Sequence, residues 1–286
     1  KSLGLEEGDR VCALVPNKIE TVVAMLAASS IGAIWSSCSP DFGIEAILDR
    51  FKQVKPKLLI STNGYYFKGK SFDISNKLST VAKSIDSIEN IIVINYLNNI
   101  SINKKFHTWD KIIDNDSKKI TFNQLPFDHP LFIMYSSGTT GKPKSIVHSA
   151  GGTLIQHLKE FKYHIDLRPD DNIFYYTTCG WMMWNWLISS LSFGSTVLLY
   201  DGSPFFPNKN SLLKKMNHSN ISIFGTSAKY ISYLQESDIK PSRFSFKNLR
   251  LILSTGSPLN DNSFEFVYKS WKKNVQLSSI SGGTDI

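Results

Sequence analysis

The chain has 286 residues, 42% hydrophobic and 20% charged, with a net charge of +8 and a pI near 9.2. That length suits two domains or one large α/β unit, and the composition is that of a soluble globular protein, which sets aside low-complexity and repeat architectures. The positive charge favours acidic partners, but the lysines are scattered and no nucleic-acid module signature is present, so phosphorylated small molecules are expected rather than DNA or RNA.

Cys12, Cys38 and Cys179 are odd in number and far apart. They give neither a metal-ligand spacing nor a disulfide framework, so a reducing compartment, and hence a cytoplasmic location, is expected. Nothing resembles a signal peptide, and Lys1 and Ile286 have the look of cuts from a longer chain. The most apolar stretch, TVVAMLAASSIGAIW at 21–35, is shorter than the roughly 18 residues of a membrane span and reads as one buried core helix.

In chain order, RVCALVP (10–16) reads as a buried strand. Asn17 then reads as an N-cap with Glu20 three residues on, followed by Ile19, Val22, Val23 and Leu26 on one helical face. IEAILDRFKQV predicts a helix, PKLLIST a strand and NIIVIN (90–95) another strand. This βα alternation with continuous apolar strands predicts an α/β fold with a parallel sheet covered on both faces. Residues 98–128 are polar and turn-rich and read as an irregular excursion at a subdomain boundary.

From residue 130 five apolar runs follow, each ending in small, hydroxylated, glycine-rich residues. PLFIMY leads into Ser136-Ser137-Gly138-Thr139-Thr140-Gly141, DNIFYY into Thr177-Thr178-Cys179-Gly180-Trp181, and ISIF into Gly225-Thr226-Ser227. LRLIL leads into Ser254-Thr255-Gly256-Ser257-Pro258, and VQLSSI into Ser281-Gly282-Gly283-Thr284-Asp285. Between them SLLKKM and AKYISYLQE are helical patterns. One such loop is an ordinary strand-to-helix turn. Five together point to a shared polar floor, since open α/β sheets bind ligands outside the carboxyl ends of their strands.

The first of these loops, with Lys142 and Lys144 behind it, can wrap a phosphate with backbone N–H groups, hydroxyls and a point charge. It is not a P-loop, because Gly138 and Gly141 are separated by two residues and Lys142 is followed by Pro143. The dinucleotide fingerprint is absent too. A serine nucleophile at Ser136 or Ser137 lacks the G-x-S-x-G elbow, and His148 has no evident carboxylate to orient it.

YSSGTTGKPK resembles the phosphate-loop signature of the adenylate-forming superfamily of acyl-CoA synthetases, luciferases and peptide-synthetase adenylation domains. IGAIWSSCSPDFG, SIVHSAGGTLIQHLK, TTCGWMMWN, TVLLYDGSP, STGSPL and SISGGTD are similar to the branch of that superfamily that ligates acetoacetate to CoA. The resemblance covers nearly the whole chain apart from residues 98–128. It implies parallel-rich sheets flanked by helices, as part of the large N-terminal domain of such an enzyme. Residues 1–128 would form a first α/β subdomain, incomplete at its N-terminus. Residues 129–286 would form a second that carries the phosphate loop and the nucleotide and acyl site.

The resemblance also implies the chemistry. The acid's carboxylate attacks the α-phosphorus of ATP, giving an acyl-adenylate and pyrophosphate, and the CoA thiol then displaces AMP. Such a reaction needs the polyphosphate charge neutralised and the leaving group held in line. Ser136, Ser137, Gly138, Thr139, Thr140, Gly141 and Lys144 would hold the β- and γ-phosphates. Gly256, Ser257 and Pro258 would line the adenine slot, and Thr284 would touch the α-phosphate. Asp285, in place of the usual Glu, would help hold Mg²⁺. Thr140, Lys144, Thr284 and Asp285 are therefore the expected catalytic set.

Trp181, Met182, Met183, Thr255 and Gly282 would form the acyl pocket. Acetyl-CoA synthetases close that pocket with a Trp at the position of Gly282, so glycine frees room for a β-keto acid, and Thr255 could offer a hydroxyl to the keto oxygen. Ser145 stands where much of the superfamily has Gly, and Ser257 where many members are acidic. Lys68 and Lys70 lie where relatives use basic residues for CoA, but they read equally as solvated lysines.

The superfamily's ribose-binding Asp, hinge and small C-terminal domain would lie beyond Asp285. The expectation is therefore of a catalytically weak piece of a ligase. Ligation of another short acid, and a nucleotide-binding remnant without catalysis, remain open, as does the oligomeric state.

Overall fold

Residues 1–113, 119–136 and 141–284 are described by a computed structural model, in which the chain forms two compact units. The first comprises residues 1–155 with 178–182, and the second 156–177 with 183–284.

The first unit is built on β1 (Arg10–Leu14), α1 (Ile19–Ser30), β2 (Ile34–Cys38), α2 (Ile44–Val54), β3 (Leu58–Thr62) and the hairpin β4 (Gly64–Phe67) and β5 (Lys70–Asp73). It continues through α3 (Ser75–Lys83), β6 (Asn90–Ile94), β7 (His107–Thr108), α4 (Trp109–Ile112), β8 (Pro130–Ser136) and β9 (Lys144–Ser149), ending in the start of α5 (Ala150–Lys159). Its sheet has the order β7-β6-β3-β1-β2-β8-β9, parallel throughout except for the antiparallel β8–β9 pair. β2 and β3 are buried along their whole length, as strands covered on both faces must be. Helix α2 turns Ile47, Leu48, Phe51 and Val54 onto this sheet, a spacing of one helical face. Full burial of Phe51 contributes about 2 kcal/mol.

α1 departs from the sequence expectation twice. Its N-cap position is Lys18, with no side-chain cap, while Thr21 Oγ1 donates to the Pro16 carbonyl at 2.8 Å. Its buried face is Thr21, Ala24, Met25 and Ala28, leaving Ile19, Val23 and Leu26 exposed. With apolar residues all round the helix, the pattern fixes no phase, and the small residues face the sheet because they allow close approach. Nor is 21–35 one helix. Gly32, at φ +78°, turns the chain from α1 into β2 in a conformation that favours glycine.

The excursion at 98–128 is tied down at several points. Asn123 donates its backbone N–H to the Ser30 carbonyl at 2.9 Å, and the Phe127 ring occupies the space that a Cβ on Gly151 would need.

The second unit contains β10 (Asn172–Tyr175), α6 (Met182–Ser189, whose first residue belongs to the other unit), β11 (Thr196–Leu198), α7 (Ser211–His218) and β12 (Ile223–Ser227). α8 (Ala228–Glu236), β13 (Leu251–Thr255), α9 (Asp261–Phe266) and β14 (Gln276–Ser279) complete it. Its five-stranded sheet, β11-β10-β12-β13-β14, is parallel throughout. Phe174, Phe224, Ile252, Ile231 and Trp271 lie in its core. Gly225 is required by packing, since a Cβ there would lie 2.0 Å from the Tyr175 ring. At the opposite strand ends, Arg250 grips buried Asp171 through both carboxylate oxygens and donates to the Ile165 carbonyl.

The α/β class and the parallel-rich sheets are as expected. The five glycine-rich strand ends are divided, however. Four belong to the second sheet, whereas β8 pairs with β2 through Trp35 and Phe132 and belongs to the first. Alternation of strands and helices does not encode which sheet a strand joins.

Candidate functional site

In the first unit the hydroxyl-rich loop closes a β-hairpin, with Ser136 of β8 directly opposite Lys144 of β9. Ser137, Gly138, Thr139 and Thr140 lie outside the described residues. Gly141 has φ +112°, left-handed backbone that disfavours a side chain. Lys144 is exposed. Three contacts from α2 hold the returning strand. Asp49 pairs with Lys142 at 3.3 Å, Gln53 Nε2 donates to the Pro143 carbonyl at 2.9 Å, and Ser145 Oγ donates to Gln53 Oε1 at 3.1 Å. Ser145, where much of the superfamily has Gly, therefore has a local bonding role. His148 stands opposite Phe132 in the ladder.

The base of the loop is anchored by Tyr135, whose hydroxyl lies 2.7 Å from Ser36 Oγ of β2. Burial, reinforced by the neighbouring Cys12 and Cys38, raises the Tyr135 phenol well above its usual range, so it stays neutral. Burial likewise raises Cys12 well above the thiol range and pushes Cys38 up to about 12. Neither thiol is a nucleophile.

The same unit holds the segment 178–182. Trp181 and Met182 are half-buried there, and Cys179 is buried. The Cys179 carbonyl accepts a hydrogen bond from Ser37 Oγ at 2.6 Å, and Gly180 lies against the end of β2. Lys77 Nζ donates to the Pro40 and Phe42 carbonyls at 2.8 and 2.7 Å, fixing the loop beyond β2. Lys68 and Lys70 are exposed at the β4–β5 turn.

In the second unit the STGSPL and SISGGT loops leave neighbouring strands. The Ile280 backbone N–H donates to the Ser254 carbonyl at 2.8 Å, and Thr255 Oγ1 donates to the Ile280 carbonyl at 3.1 Å. The buried Thr255 hydroxyl thus gives its proton to the backbone, which removes it as a donor to a substrate keto group. Gly256, at φ +88°, Ser257 and Pro258 are exposed. Gly282 is exposed, with nothing within 4 Å of where a Cβ would stand. Thr284 is half-buried, and Asp285 lies outside the described residues. Met183 is buried in α6.

The structure therefore brings Ser136, Gly141, Lys144, Trp181 and Met182 into one unit, and Met183, Thr255, Gly256, Ser257, Pro258, Gly282 and Thr284 into the other. Sequence reasoning missed Ser36, Ser37, Asp49, Gln53 and Lys77. One signal was available for the serines, because two hydroxyls inside a fully buried strand must find partners. Among the described residues no helix is long and apolar enough to cross a membrane.

The family model described as "AMP-binding enzyme" matches residues 1–284. Acetoacetyl-CoA synthetases of Danio rerio and Rhizobium meliloti are 51% and 49% identical over 298 and 292 residues, taking in 100% of this chain. A malonamoyl-CoA synthetase of Penicillium aethiopicum is 37% identical over 311 residues, again with 100% of this chain. The solved acetoacetyl-CoA synthetase from Streptomyces lividans superposes with a TM-score of 0.94 at 38% identity, over 99% of this chain and 44% of its own. The chain spans less than half the length of the curated relatives it matches, 44% of the Danio and 45% of the Rhizobium protein. With a model match that runs almost from end to end, on a fold shared with a solved member, this chain belongs to the AMP-binding enzyme family.

Proposed function

We propose that this chain is the nucleotide- and acid-binding part of an acid–thiol ligase that activates acetoacetate with ATP as acetoacetyl-adenylate and passes it to CoA. The observation that carries this reading is identity of about half over the whole chain to synthetases named for acetoacetyl-CoA. Ser136, Ser137, Gly138, Thr139, Thr140, Gly141 and Lys144 hold the β- and γ-phosphates, with Lys144 supplying a point charge. Gly256, Ser257 and Pro258 bound the adenine, and Thr284 meets the α-phosphate.

Mg²⁺ keeps most of its waters and takes phosphate oxygens, so a single carboxylate from the protein suffices to hold it. Asp285 is the carboxylate offered in this loop, and the ion's contribution when bound is to neutralise polyphosphate charge.

Trp181, Met182, Met183, Thr255 and Gly282 define the acyl pocket. The acids named by the relatives, acetoacetate and malonamate, both carry a carbonyl at C3. A pocket left open at Gly282 suits that shape, and the keto oxygen takes its donor from a group other than Thr255. The three cysteines form no disulfide and are buried, which supports a cytoplasmic location.

ATP–pyrophosphate exchange across a panel of short carboxylates, on the protein as its own gene encodes it, tests the reading. Exchange is expected to be strongest with acetoacetate, and Gly282→Trp is expected to lower it about 100-fold while sparing acetate. Strongest exchange with acetate or propionate would overturn the substrate, and nucleotide binding without exchange would leave a remnant without catalysis.

A further inference from the structure

β2 carries two adjacent serines, Ser36 and Ser37, and successive side chains of a strand point to opposite faces. Ser36 meets the Tyr135 hydroxyl at 2.7 Å, one residue before the phosphate loop's Ser136. Ser37 takes the Trp35 indole N–H at 3.2 Å and donates to the Cys179 carbonyl at 2.6 Å. Trp35 and Ser37 are 1% and 7% exposed and Cys179 is 2% exposed, so water offers none of these groups an alternative partner.

The direction of this relay is fixed by chemistry. An indole N–H only donates and a carbonyl only accepts, while a hydroxyl has one proton. With Trp35 donating to Ser37 Oγ, the hydroxyl proton is left for Cys179. Gly180 then rests on the strand end without a side chain between. A Cβ there would lie 3.3 Å from the Ser39 nitrogen and 3.4 Å from Cys38 Cα, both backbone atoms that yield little. Lys77 steadies the same strand end through the Pro40 and Phe42 carbonyls.

We propose that Ser37, oriented by Trp35, is a positioning residue for the acid substrate: it seats the Cys179–Gly180 backbone and so fixes Trp181 and Met182. The inference rests on the assignment of those two side chains to the acyl pocket. Ser37 touches no substrate, and its loss acts through the wall it holds. Without the hydroxyl, the Trp35 indole N–H loses its buried acceptor and the Cys179 carbonyl loses the Ser37 donor, so the segment is held less firmly. Misplacement of a substrate-positioning wall impairs use of the acid, not of ATP.

The test uses Ser37→Ala, Ser37→Thr and Trp35→Phe in the protein as its gene encodes it. Two quantities are read: amide hydrogen exchange over residues 178–182, and the KM values for acetoacetate and ATP in pyrophosphate exchange. Ser37→Ala should speed amide exchange in that segment and raise the KM for acetoacetate about tenfold, leaving that for ATP within about twofold. Ser37→Thr, which keeps the hydroxyl, should restore the low KM. Trp35→Phe should move both readings the same way by less, and it carries the test if Ser37→Ala does not fold.

Unchanged amide exchange in Ser37→Ala overturns the proposal, as does an equal rise in both KM values, which is the mark of general loosening. Activity of the unsubstituted protein with no acid at all removes the acyl pocket itself, and the positioning role with it. An active protein indifferent to Ser37→Ala sinks the positioning role alone.

Discussion

The two glycine-rich regions are held in different ways. The hydroxyl-rich segment of the first unit lies between antiparallel neighbours, with Ser136 opposite Lys144 on one ladder, and α2 braces the return through Asp49 and Gln53. The STGSPL and SISGGT loops leave parallel strands in the same direction, each anchored to the sheet at its start, and they are tied to one another by the Thr255–Ile280 and Ile280–Ser254 hydrogen bonds. A hairpin loop keeps its span even when one surface contact is lost. Loops from parallel strands depend on their cross-tie. Charge is concentrated in the first region, with Lys142 and Lys144, whereas the second contributes room and backbone.

The largest expected effect falls on that charge. Lys144→Ala should lower ATP–pyrophosphate exchange about 100-fold or more, the scale of losing one preorganised electrostatic donor, with thermal unfolding unchanged because Lys144 is exposed. Retention of full exchange would break the assignment of charge to the hairpin.

Next comes the clamp that ties the start of β13 to the start of β10 across the intervening β12. Asp171→Asn should destabilise the second unit by about 3 kcal/mol in denaturant titration, since it leaves Arg250 without its buried partner. Burial alone would raise the pKa of Asp171, but the hydrogen bonds from Arg250, Ser222 and the Arg168 backbone, with the charge of Arg250, bring it below the usual carboxylate value. A depressed pKa stabilises the fold above the unfolded-state value of about 4 and loses that contribution as pH falls through the folded value. The gap between the native protein and Asp171→Asn should therefore narrow in acid, and a gap that widened would contradict the clamp.

Smaller still, Thr255→Val should cost about 1 kcal/mol and loosen residues 280–284 in hydrogen exchange while leaving the β8–β9 hairpin unchanged. Equal loosening of both regions would erase the distinction between them. Lys142→Ala should change stability by less than about 0.5 kcal/mol, because the lysine side chain of this pair is 81% exposed.

Legibility in the sequence followed the range of the forces involved. α2 and α8 begin and end where their patterns do, since amphipathic spacing is local and unambiguous. α1 failed in phase because its exposed face is as apolar as its buried one. β9 was missed because KSIVHS alternates too weakly to announce a strand, and it forms by pairing with β8. The proposed site residues rest on a resemblance of loops. Their supports were not legible, because Ser37 and Cys179 are 142 residues apart and only the fold brings them together. The loss of Thr255 as a keto-group donor was equally invisible, since it depends on where the Ile280 carbonyl points.

The positions of the cysteines have a practical use. Cys12, Cys38 and Cys179 all lie in the first unit and all are buried. A thiol reagent such as iodoacetamide can therefore reach them only when that unit opens, and the second unit contributes no signal. The rate of alkylation becomes a clock for the breathing of one half of the molecule, supplied without any engineered label.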